Sequence, residues 1–169
     1  MTFLTSKWLI VTIIVIVFSL VLLYLIGRKS VHTEIVTPAS VEQIWSVLVD
    51  TKQYEQWNQV FELLEGNLQE GETVKYRFHQ DDDNAYEIST SVKQVLENKL
   101  LNQGGGMPGV LSFDHRYILE PIEGGTKVVI HEDYRGIAVP FWNPEPVGKA
   151  YHRLGQALKN RVAEVYPHE

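Results

Sequence analysis

Residues 111–134 read LSFDHRYILEPIEGGTKVVIHEDY. Leu111, Phe113, His115, Tyr117 and Leu119 fall on one face at period two, the spacing of a half-buried strand. Val128, Ile130, Glu132 and Tyr134 do the same after Glu123-Gly124-Gly125, whose glycines mark a turn. The stretch therefore reads as a β-hairpin. A two-residue turn at Glu123-Gly124 pairs Ile122 with Gly125 and fixes every pair beyond it. His115 then stands directly across from Glu132 on the inner face; a slip of two residues would leave them diagonal and still within reach.

The chain upstream repeats the pattern. Val74, Tyr76 and Phe78 alternate with Lys75, Arg77 and His79, and Tyr86, Ile88, Thr90 and Val92 alternate with Glu87, Ser89, Ser91 and Lys93. Turns are expected at 81–84 and around Asn98, with a short strand near Leu100. Gly104-Gly105-Gly106-Met107-Pro108-Gly109 reads as a flexible loop at a cavity entrance. Successive hairpins with one polar face imply an antiparallel sheet. Val31 to Thr37, rich in β-branched residues, supplies the first strand. Ser40, with Gln43 at the capping-box position, opens a helix that carries Val41, Ile44, Trp45 and Leu48 and ends at Asp50. Thr51 to Trp57 forms a second short helix, and Trp45 and Trp57 are expected in the core. At the other end, Asn143 caps a long helix with Pro144 as its first residue. Its stripe of Val147, Tyr151, Leu154, Leu158, Val162 and Val165 must lie on the sheet.

Trp8 to Ile26 is a different kind of sequence. Its 19 residues carry no charge. As a helix rising ~1.5 Å per residue they span ~28 Å, close to the ~30 Å hydrocarbon core of a bilayer. A signal peptide would have a shorter apolar run and a small-x-small cleavage site, whereas this run ends in Gly27-Arg28-Lys29. The expectation is a single-pass anchor over residues 1–29, a globular domain over residues 30–169, and the lipid bilayer as partner of residues 8–26. Lys7 on one side against Arg28 and Lys29 on the other places the domain in the cytoplasm by a margin of one charge. Gly27 to Ser30 leaves only a short junction.

Charge and composition exclude several functions. All 21 Asp and Glu lie beyond residue 30 with 12 of the 15 Lys and Arg, so the domain carries a net charge of about −9. Such a surface repels nucleic acid and anionic headgroups alike. There is no cysteine nucleophile and no Gly-x-Ser-x-Gly elbow. Asp81-Asp82-Asp83-Asn84 lacks the spaced glycine and terminal glutamate of a calcium loop, and the glycine run lacks the Lys-Ser/Thr of a phosphate loop. The other histidines show no metal-ligand spacing. No metal and no cofactor is expected.

Three motifs carry a resemblance: residues 38–45 (PASVEQIW), then Leu48-Val49-Asp50 and Tyr54-Glu55-Gln56-Trp57-Asn58. Together they resemble the opening signature of the START-related polyketide cyclase/dehydrase-like (SRPBCC) family. Gly124-Gly125-Thr126 and residues 154–159 (LGQALK) are similar to its closing pattern. The resemblance spans residues 31–166. It implies an α+β helix-grip fold, with a curved antiparallel sheet around a long C-terminal helix and two short helices after the first strand. The transmembrane helix in front is not part of the family pattern. The family implies a cavity for an apolar ligand between sheet and helix, although this fold hosts carriers, receptors and enzymes alike.

Tyr76, Phe78, Tyr86, Phe113, Tyr117 and Tyr134 on the inner sheet face, and Tyr151 on the helix, would line such a cavity; the same aromatics would also serve as a solid core. Phe141 and Trp142 are expected to gate its mouth, touch lipid or pack a corner. His115 and Glu132 are the catalytic candidates. A carboxylate beside the imidazole would raise the histidine pKa and hold one tautomer, making either a general base, a contact for a ligand hydroxyl or carbonyl, or a structural pair. Three functions stay open: a binding domain for a lipid, quinone or isoprenoid-like ligand; a cyclase/dehydratase-type enzyme using His115 and Glu132; and a protein-interaction module with a vestigial cavity.

Overall fold

The computed structural model describes residues 2–167. The elements follow in the order α1 (Thr2–Ile26), β1 (Arg28–Thr37), α2 (Val41–Val49), a 3-10 turn (Thr51–Gln53), α3 (Tyr54–Trp57), β2 (Phe61–Glu65), β3 (Thr73–His79), β4 (Ala85–Leu96), β5 (Leu100–Met107), β6 (Leu111–Ile122), β7 (Gly125–Arg135), a second 3-10 turn (Val139–Phe141) and α4 (Glu145–Val165). The seven strands form one antiparallel sheet in the order β1-β7-β6-β5-β4-β3-β2. The sheet wraps α4, which packs most extensively on β1 and buries Val147, Tyr151, Leu154, Leu158 and Val162. This is the α+β helix-grip fold, with an apolar helix added in front.

The hairpin register is the one that the two-residue turn dictates. Ile122 pairs with Gly125 and His115 with Glu132, and Gly124 adopts the positive φ (78°) that the turn requires. The Ser40–Gln43 capping box forms in both directions. The start of α4 is corrected by one residue: Pro144 is its N-cap and Glu145 its first residue, while Asn143 Oδ1 accepts from Glu145 N–H at 3.1 Å from just outside the helix. Trp45 and Trp57 are buried.

Two further expectations are corrected. Gly104, Gly105 and Gly106 are not a loop; they lie inside β5, all three paired with β6, and Gly104 and Gly105 with β4 as well. Their missing side chains make room for neighbours. A Cβ on Gly105 would stand 2.9 Å from the Phe113 ring, and one on Gly104 would stand 2.3 Å from the Lys93 side chain. The junction is also shorter than expected. β1 begins at Arg28, which pairs with Arg135, so Gly27 alone separates helix from sheet. Gly27 is itself held: its carbonyl accepts from Gly136 N–H at 3.0 Å. From Lys7 to Ile26 the helix is long and apolar enough to cross a membrane, and none of that stretch is buried.

Candidate functional site

Between the sheet and α4 lies a cavity of about 340 Å³. Burial along each strand shows where it opens. On β6, Leu111 and Phe113 are half-buried while His115 and Tyr117 are buried; on β4, Tyr86 is exposed, Ile88 half-buried and Thr90 buried. The partly exposed lining residues thus sit at the strand ends nearest α1, together with Gln80 and Trp142. The buried ones form the floor. That gradient defines one mouth, at the end of the sheet where β1 leaves Gly27.

The floor contains the polar cluster. Glu132 Oε2 accepts hydrogen bonds from both the Tyr134 and Tyr151 hydroxyls. Burial pushes the Glu132 carboxyl up to about 7 despite these two donors, and the charges of Asp114 and Asp133 on the outer face push the same way. His115 Nδ1 lies 3.9 Å from Glu132 Oε1, within Coulomb reach but beyond a hydrogen bond. Neither His115 nitrogen has a hydrogen-bond partner among the described residues. Burial pushes its pKa down to about 3. The expected rise in the histidine pKa is therefore overturned, because desolvation outweighs a carboxyl group that is itself half neutral near pH 7. The imidazole is held by rings rather than by polar partners, with Tyr117 and Tyr151 at centroid distances of 4.7 and 5.0 Å.

A second polar group lies on the opposite wall. Thr90 Oγ1 donates to Gln103 Oε1 (3.0 Å), and Gln103 Nε2 donates to the Tyr76 hydroxyl (3.4 Å). Burial pushes Tyr76 up to about 12 and raises Tyr117 and Tyr151 further, so these phenols stay protonated.

The structure brings together Tyr76, Phe78, Tyr86, Phe113, Tyr117 and Tyr134, with Trp142 and Tyr151, on the walls of one cavity, and His115 and Glu132 on its floor. Phe141 is not among them. Its ring is 80% exposed on the outside of the second 3-10 turn, while its neighbour Trp142 turns inward against Tyr134 at 4.2 Å between ring centroids. Gln103 was not anticipated. It belongs to the inward set Leu101, Gln103, Gly105, which the glycine run disguised as loop. Tyr54 and Phe61 also reach the cavity from α3 and β2. Among the described residues no group of three or more metal-ligating side chains forms.

A sheet gripping one helix, with an aromatic-walled cavity between them, defines the Bet v 1-like helix-grip class. Residues 28–163 match the family described as polyketide cyclase/dehydrase and lipid transport, and the chain belongs to that family. Solved structures agree on the fold. The Thermus thermophilus protein TTHA0849 superposes with a TM-score of 0.66 at 16% identity, over 82% of this chain and 99% of that one. Ara h 8.0201 gives 0.62 at 15%, over 81% and 99%. Norcoclaurine synthase from Thalictrum flavum, solved with a transition-state analogue, gives 0.60 at 15%, over 82% and 96%. No curated protein matches the sequence.

Proposed function

We propose that the protein is a membrane-anchored binding domain for a small amphipathic ligand of lipid, quinone or isoprenoid type. The cavity carries this reading. Its volume of about 340 Å³ lies within the range of small-molecule sites, and its walls are mostly aromatic. The floor offers hydrogen bonds from a neutral imidazole and from a carboxyl that is about half protonated near pH 7. A neutral imidazole with two free nitrogens can donate from one of them to a hydroxyl or carbonyl oxygen and accept a hydroxyl proton at the other. A ligand with an apolar body and one such oxygen would satisfy one of the two buried His115 nitrogens, which otherwise cost free energy. Family membership supports the reading, since lipid transport is part of its description. The apolar helix supports a bilayer address, and the excess of one basic residue on its C-terminal side supports a cytoplasmic domain.

The test is native extraction of a fragment spanning residues 28–169, followed by mass spectrometry of what it carries. The fragment begins at Arg28 because β1 does. An apolar or amphipathic molecule should be retained by the wild type and lost from Phe113→Trp, which fills the cavity. A fragment that carries nothing, and takes up no added isoprenoid or quinone, would sink the proposal.

One observation favours an enzyme as the second reading. With a pKa of about 7, Glu132 can take up or release a proton near neutrality, as a general acid or base must. An enzyme of the cyclase/dehydratase kind would lose turnover in Glu132→Gln while still binding its ligand. A plain binding protein has no turnover to lose.

A further inference from the structure

The mouth of the cavity and the anchor end of the sheet are the same place. Arg28 pairs with Arg135, Arg135 with Ser112, and Ser112 with Gly106. Just beyond that row lie Met107, the last residue of β5, and two loops, residues 108–110 and 136–142. They are tied together: Ile137 N–H donates to the Gly109 carbonyl at 3.0 Å and Ala138 N–H to the Val110 carbonyl at 2.9 Å. Lys29 Nζ donates to the Pro140 carbonyl at 3.2 Å and also to that of Trp142.

Met107 and these loops turn apolar side chains outward. Met107 is 64% exposed, Val110 37% and Phe141 80%; no other large apolar side chain described outside α1 is as exposed as Phe141. An apolar patch beside charged residues marks an interaction surface. Arg28 and Arg135 flank it, both exposed and neither in an ion pair among the described residues. A domain that is acidic overall thus presents cations at this end.

We infer that the two loops dock into the leaflet that holds α1, with Arg28 and Arg135 on lipid phosphates and the cavity mouth open to the bilayer interior. The inference rests on the anchoring reading above. The distances fit. The polar layer on each side of a bilayer is roughly 5–7 Å deep. Arg28 lies two residues past Ile26, about 7 Å of extended chain, and so falls within that layer. Met107, Val110 and Phe141 extend past the Arg28 row toward the membrane and reach the acyl boundary. The junction cannot swing freely, because Gly27 is packed so closely that a Cβ there would stand 2.0 Å from the Gly136 carbonyl oxygen. A ligand then passes between leaflet and cavity without crossing water.

The chain contains no cysteine, which makes the test direct. Single cysteines are introduced into the full chain as Val15→Cys, Met107→Cys, Phe141→Cys and Ile122→Cys, the last at the far end of the sheet. Each is labelled with an NBD fluorophore and reconstituted in phosphatidylcholine vesicles with or without spin-labelled lipid. The labels at 15, 107 and 141 should lose most of their emission to the lipid quencher, and the label at 122 should keep it. Quenching at 15 without quenching at 107 and 141 overturns the docking and leaves the anchor standing. Equal quenching at 122 overturns the orientation. No quenching at 15 overturns both readings.

Discussion

The floor of the cavity holds two titratable groups displaced in opposite directions, and their opposition can be measured. Glu132 has a folded-state pKa of about 7 against an ordinary 4.5. Between those values the folded chain holds a proton that the unfolded chain has released. Its contribution is complete below pH 4.5 and is lost as pH rises through 7, an amount of roughly 3 kcal/mol. His115 has a folded-state pKa of about 3 against 6.5. Its contribution is complete above pH 6.5 and is lost as pH falls toward 3, an amount of roughly 5 kcal/mol. In wild type the two slopes oppose each other between pH 4.5 and 6.5 and largely cancel. Single substitutions separate them. Relative to wild type, Glu132→Gln should gain roughly 3 kcal/mol as pH rises from 4.5 to 7. His115→Gln should lose roughly 5 kcal/mol relative to wild type as pH rises from 3 to 6.5. Urea unfolding of residues 28–169, followed through the buried Trp45 and Trp57, supplies the stabilities; α1 contributes no buried side chain from Lys7 onward. If the two groups formed an ion pair, both slopes would reverse. That result would refute a neutral imidazole beside a carboxyl that stays protonated to near pH 7, and with it the preference for an uncharged ligand oxygen.

Three further outcomes follow from local geometry. Gly105→Ala should lower stability by about 1–3 kcal/mol in the same urea assay, because its Cβ would stand 2.5 Å from the Ser89 carbonyl oxygen and 2.9 Å from the Phe113 ring. Ser40→Ala should cost about 1 kcal/mol by removing half of the capping box on α2, read as a lower thermal midpoint. Tyr151→Phe removes one donor to Glu132 and should raise the carboxyl pKa further, seen as an upward move of the pH window in which stability falls.

Much of this architecture is readable from period two and turn chemistry. The Glu123-Gly124 turn alone sets the β6–β7 register, and so places His115 opposite Glu132. What the sequence hides are the side-chain demands that one strand places on the next. Gly104–Gly106 look like a loop because the residues that need their space, Lys93 and Phe113, lie on adjacent strands. Gln103 was lost with them. The ionisation of His115 went astray for another reason: proximity to a carboxyl is visible in the register, but full burial of both groups is not, and burial dominates. Phe141 and Trp142 are adjacent aromatics, and only the 3-10 turn decides which faces inward.

The single-residue link at Gly27 also has a mechanical meaning. A pull transmitted through α1 enters the domain along the axis of β1, whose ten positions from Arg28 to Thr37 are all partnered on β7. Force in that direction loads the ladder in shear, so its hydrogen bonds resist together instead of opening one at a time. The strand that continues from the apolar helix is thus placed to bear tension transmitted through that helix.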